Sequence, residues 1–130
     1  MTAEADAPQV TCGPVRDLFY PQDPTRWVGS AAQAGWVIGR DLGADLVVTD
    51  AGVVVAADGG RRWFVNSTVR QYQESLQIVG GLRDRLAHHS GDPQVQLGLE
   101  SSRLESLDPA AMEPGSYWQL IVEQIREEQF

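Results

Sequence analysis

The chain's two histidines, His88 and His89, follow Asp84 by four and five residues, a spacing that on a helix could set an imidazole beside a carboxylate. Adjacent helical side chains point roughly 100° apart, so only one of the pair aligns with Asp84 and no further ligand completes a metal site. The pattern predicts instead a solvated helix end, where imidazoles meet the negative end of the helix dipole. Cys12 is the single cysteine. It lies in a proline-flanked stretch with neither a base nor an orienting group nearby in sequence, which argues against a nucleophilic thiolate. One cysteine also excludes an intrachain disulfide and a cysteine-based zinc site. Ser67 has no Gly-x-Ser-x-Gly context and falls where a helix should start, so capping accounts for it. Gly39-Arg40-Asp41-Leu42-Gly43 lacks the Gly-Lys pair and following helix of a phosphate loop. The sequence therefore predicts neither catalytic group nor cofactor.

The remaining chemistry is that of recognition. Asp41, Asp45, Asp50 and Asp58 are scattered through a region of short apolar runs, three of them at turns, where aspartate is a standard residue. Together they predict an acidic rim at the ends of a sheet. Of four tryptophans, Trp27, Trp36, Trp63 and Trp118, Trp36 and Trp118 read as core. Trp63, beside Arg61 and Arg62, is the candidate interface anchor, because tryptophan and arginine dominate interface hot spots. With 18 acidic and 10 basic residues the net charge is −8. That balance argues against binding nucleic acid or an anionic membrane, since both require a cationic surface. It favours a basic protein partner, reached by electrostatic steering. No stretch approaches the ~20 apolar residues that cross a bilayer, and the N-terminus lacks an export leader, so a cytoplasmic protein is expected.

These residues need a scaffold. Residues 1–9 read as a flexible tail and 10–130 as one domain. Val15 to Tyr20 reads as a short strand, with Pro21 and Pro24 breaking any ladder after it. From Trp36 the runs GWVIG, DLVVTD, GVVVAAD and RRWFVN are separated by Asp- and Gly-bearing turns, which predicts an antiparallel meander. A helix capped at Asn66-Ser67 follows, its face marked by Val69, Tyr72, Leu76, Val79, Leu82 and Leu86, with a kink or break expected at Gly80-Gly81. Val95 to Leu99 alternates as an edge strand would. Asp108-Pro109 opens a helical turn, and a last helix from about 116 to 128 buries Trp118, Ile121, Val122 and Ile125. The fold class is thus α+β, a meander of about four to six strands with two main helices packed on it.

The phrase Phe64-Val65-Asn66-Ser67-Thr68-Val69 leading into a helix with Tyr72, preceded by the meander with Trp36 and followed by a closing helix that opens on Trp118, resembles the actinobacterial SUKH-4 immunity proteins of the SUKH superfamily. The likeness covers roughly residues 34–128. It implies a non-catalytic protein that binds and neutralises a toxin domain, often a nuclease or deaminase and commonly basic. Asp41, Asp45, Asp50, Asp58, Arg61, Arg62 and Trp63 would then be partner contacts. Trp36, Phe64, Asn66, Ser67, Tyr72 and Trp118 would be mainly structural. The rival expectation keeps the fold but assigns an accessory subunit that docks onto a neighbouring-gene enzyme or binds a small ligand in a helix-sheet cleft. Either leaves a homodimer open.

Overall fold

The computed structural model describes residues 6–29 and 33–129. Five strands, β1 (Tyr20–Val28), β2 (Ala34–Arg40), β3 (Asp45–Thr49), β4 (Val54–Asp58) and β5 (Arg61–Asn66), form one antiparallel meander in sequence order. Helices α1 (Val69–Ala87), α2 (Pro93–Leu107) and α3 (Tyr117–Gln129) follow, with a 3-10 turn at Pro109–Met112 between the last two. The α+β meander expected from sequence is what forms, with three helices rather than two main ones.

Ile38, Leu46, Val48, Val54, Ala56 and Val65 from the strands pack in one cluster with Leu76, Val79 and Leu82 of α1 and Trp118, Val122 and Ile125 of α3. This is the main core, and removing it from water supplies the driving force for folding. A smaller cluster of Val37, Val47 and Ala57, with Trp27 and Val55 against it, forms separately from that core.

Four local readings are corrected. Val15 to Tyr20 is not a strand: it is a tight turn closed by mutual Val15 and Phe19 backbone bonds of 2.8 and 2.9 Å, with Asp17 at φ 63°. The strand begins at Tyr20 and runs through Pro21 and Pro24, because β1 is an edge strand and its register slips between Pro21 and Thr25. A proline on an edge need not donate to the ladder. Val95 to Leu99 is helical within α2, which buries Leu97, Glu100 and Leu104 at steps of three and four while Val95 and Leu99 face solvent. Asp92 caps that helix, accepting from Gln94 N at 2.9 Å, with Pro93 in its first turn.

Helix α1 also continues through Gly80-Gly81 without a break. A Cβ at Gly80 would lie 3.0 Å from Val15 Cγ1, so the glycine serves the close approach of the N-terminal segment. That segment is fastened by Gln73, whose Oε1 accepts from Thr11 N, Thr11 Oγ1 and Cys12 N at 2.8 to 3.0 Å. Residues 1–5 of the expected tail lie outside the described residues.

Candidate functional site

The junction between β5 and α1 is built around Asn66. A register shift in the β4–β5 ladder sets Asn66 opposite Val54 and Phe64 opposite Val55, so the extra residue turns Asn66 to the side of the core residue Val54. There, fully buried, it accepts from Trp118 Nε1 at 2.7 Å and donates to Asp108 Oδ2 at 3.1 Å and Ser75 Oγ at 3.2 Å. Asp108 also accepts from Ser67 N at 2.7 Å and Ser67 Oγ at 2.8 Å. The cap of α1 is therefore Thr68, which accepts from Gln71 N at 3.1 Å, and not Asn66-Ser67. Asp108 leads into the 3-10 turn but spends its side chain on Ser67 and Asn66 rather than capping it. Buried polar groups persist when partnered this way. Tyr72 lies between Phe19, edge-on at 5.7 Å, and Trp118, stacked at 6.2 Å. Burial pushes its hydroxyl well above the ordinary tyrosine range. Asn66, Ser67, Tyr72 and Trp118 thus tie β5 to all the helical elements around them. Half-buried Phe64 packs against the same core.

The meander brings the β2–β3 and β4–β5 turns to one end of the sheet and the β3–β4 turn to the other. The expected acidic rim is split accordingly. At the first end, Asp41 Oδ1 accepts from Gly43 N at 2.7 Å and Ala44 N at 2.6 Å, while its Oδ2 accepts from Tyr117 Oη at 2.8 Å. Burial first and the neighbouring Asp41 second push the Tyr117 hydroxyl far above its usual range. Asp45 pairs with Arg40 at 3.2 Å. Asp58, exposed in the β4–β5 turn with Gly59 at φ 60°, forms no side-chain bond or ion pair with the described residues. At the other end Asp50 receives both Nη1 and Nη2 of Arg26, at 2.8 and 2.6 Å. That bond holds its carboxyl below the usual aspartate range.

The Arg61, Arg62 and Trp63 group is divided by strand alternation. Arg61 and Trp63 project to one side, with the Arg61 guanidinium 5.4 Å from the Trp63 ring centroid. Arg62 projects to the other, over Trp27 at 5.3 Å and bonded to Gln33. Trp36 is not a core residue: it is half-buried beneath the Arg26 guanidinium, 5.2 Å away.

Trp63 lines a cleft of about 430 Å³ at the first end of the sheet. Its floor is Leu18, Ile121 and Ile125, and its flanks are Leu42 and Leu120, which are 75% and 45% exposed. Its rim carries Asp17, Asp41, Asp58 and Glu128 against one cation, Arg83, which already lies 3.7 Å from Asp17. Leu42, Leu120, Ile121 and Asp17 were missed from sequence. Leu42, an apolar residue inside the Asp41–Gly43 turn, was the available signal.

Elsewhere, His88 caps α1 and its Nδ1 lies 2.7 Å from Asp84 O, a helix-end contact. Among the described residues no three His, Cys, Asp or Glu side chains are placed to hold a metal ion. Burial raises the Cys12 thiol, opposite to the shift that activates a nucleophile. No helix among the described residues is long and apolar enough to cross a membrane.

Fold and cleft together define a small α+β domain in which a five-stranded meander carries its main helical cover on one side, with an acid-rimmed apolar cleft at one sheet end. The chain belongs to the SUKH-4 immunity protein family, whose model matches residues 3–124. The match takes in the N-terminal segment before the meander as well as the meander and helices. No curated protein and no solved structure matches the chain.

Proposed function

We propose that this chain is an immunity protein that neutralises a basic protein toxin, of nuclease or deaminase type, by direct non-catalytic binding in the cytoplasm, and that the cleft at the Asp58 end of the sheet is its contact surface. The observation that carries this reading is the conjunction of exposed Leu42 and Leu120, half-buried Trp63 and the carboxylate of Asp58, unpaired among the described residues, around one concavity. Exposed apolar groups gathered beside a polar rim mark interaction surfaces, and the excess of acid over base complements a partner that must itself grip nucleic acid. Family membership supports the same reading.

Coexpression with the toxin encoded by the adjacent upstream gene tests it. A captured complex and restored growth are expected. A toxin that stays active and uncaptured, beside a partner enzyme whose activity depends on this chain, would replace immunity with the accessory role.

A further inference from the structure

We infer that the cleft seats an arginine side chain of the partner on Trp63, with an apolar neighbour beside it, and that Arg61, which meets the same ring without lining the cleft, competes with it in the free protein. This rests on the reading of the cleft as the contact surface and specifies what the surface recognises.

The rim offers four carboxylates, but most are already engaged. Asp41 is saturated by two backbone amides and Tyr117, Asp17 lies between Arg16 and Arg83, and Glu128 accepts from Gln124 at 3.5 Å. Asp58 is left as the anion open to an incoming cation, two residues beyond the strand position that pairs with Trp63 and opposite Arg61 in the β4–β5 ladder. Beside it the Trp63 ring already supports a guanidinium, that of Arg61. A flat, weakly hydrated guanidinium stacks on an indole far better than a compact ammonium does. The methylene stem of an incoming arginine has Leu120 and Ile121 to cover, as amphipathic stems require.

Arg61 reaches that ring from outside the residues that line the cleft, and its charge repels a second guanidinium brought within a few ångströms. Arg61 must therefore leave when the partner's arginine arrives. Among the described residues only the ring contact holds it: Arg61 is exposed and has no ion pair with them, unlike Arg26, which two hydrogen bonds to Asp50 pin over Trp36. Arg61 is thus a built-in competitor rather than a contact.

The test uses the intact protein, the toxin domain from the adjacent gene, and two amidated peptides, Leu-Arg-Leu-Arg-Leu and its lysine counterpart, titrated by calorimetry and tryptophan fluorescence. Arg61→Ala is compared with Arg70→Ala, an equal charge change on the remote first turn of α1. Arg61→Ala should tighten the arginine peptide and the toxin by about two- to fivefold beyond the control, the size of an exposed cation–π contact. Asp58→Asn should weaken both and erase the preference for arginine over lysine. Weaker binding by Arg61→Ala, a gain no larger than the control's, or equal binding of the two peptides overturns the inference. A toxin captured normally but indifferent to Arg61 and Asp58 sinks this inference alone. Arginine-selective peptides with no toxin capture sink the immunity reading alone.

Discussion

The two ends of the sheet use the same residue types to opposite effect. At the β3–β4 end an aspartate in a turn, an arginine and a tryptophan close on one another: Asp50 takes a two-pronged bond from Arg26, which covers Trp36. At the β4–β5 end Asp58, Arg61 and Trp63 repeat the set, but the acid and the base do not pair, and the ring borders an open apolar cleft. The closed set pairs its acid with its base and joins neighbouring parts of the sheet. The open set leaves a carboxylate and two exposed leucines at the surface beside the ring. A turn aspartate is therefore informative about binding only once its partner, or lack of one, is known.

The largest expected effect comes from filling the open end. Leu120→Arg places a cation among the apolar flanks and should weaken toxin binding by about 100-fold, or about 3 kcal/mol, with an unchanged melting curve because Leu120 is already half exposed. Titration calorimetry and a thermal melt read both. Next, Asn66→Ala strips Trp118 Nε1 and Asp108 of a partner. Denaturant unfolding should show a loss of about 2–4 kcal/mol, while the folded fraction binds toxin as before, which separates the polar core from the contact surface.

The smallest effect belongs to the closed end. The folded carboxyl of Asp50 titrates below its unfolded value, so its contribution to stability is fully present above the unfolded value of about 4 and is lost as pH falls through the folded one. Stability curves of the wild type and Asp50→Asn should differ slightly at neutral pH and converge in acid. A gap that widens as the pH falls would contradict the assignment of the Arg26 bond as its cause.

Much of this was legible in the sequence where local chemistry and tertiary packing agree. Turn residues at Asp41, Asp50 and Asp58 marked the hairpins, and the spacing from Val69 to Leu86 marked α1. Helix α2 was not legible, because the alternation of Val95, Leu97 and Leu99 imitates a strand although two of the three face solvent. The start signal Asp92-Pro93 was present and was of the same kind as Asp108-Pro109. Strand β1 was hidden by its prolines, which only its place at the sheet edge makes tolerable. At the site, Trp63, Asp41 and Asp58 could be picked out by residue type. Their separation from Asp50 and Arg62 could not, since it depends on which sheet end a turn reaches and which way a side chain alternates. Asp108 as the hub beneath Asn66 and Ser67 arises from contacts about forty residues apart, which no local pattern records.

The central claim, that the Asp58 end and not the Asp50 end meets the partner, is tested most directly by matched charge reversals, Asp58→Arg and Asp50→Arg, each titrated with the toxin domain after a melt confirms folding. The account predicts a loss of at least about 30-fold for Asp58→Arg, a like-charge penalty of about 2 kcal/mol, and a change within about twofold for Asp50→Arg. Equal losses, or a greater loss at Asp50, would contradict it.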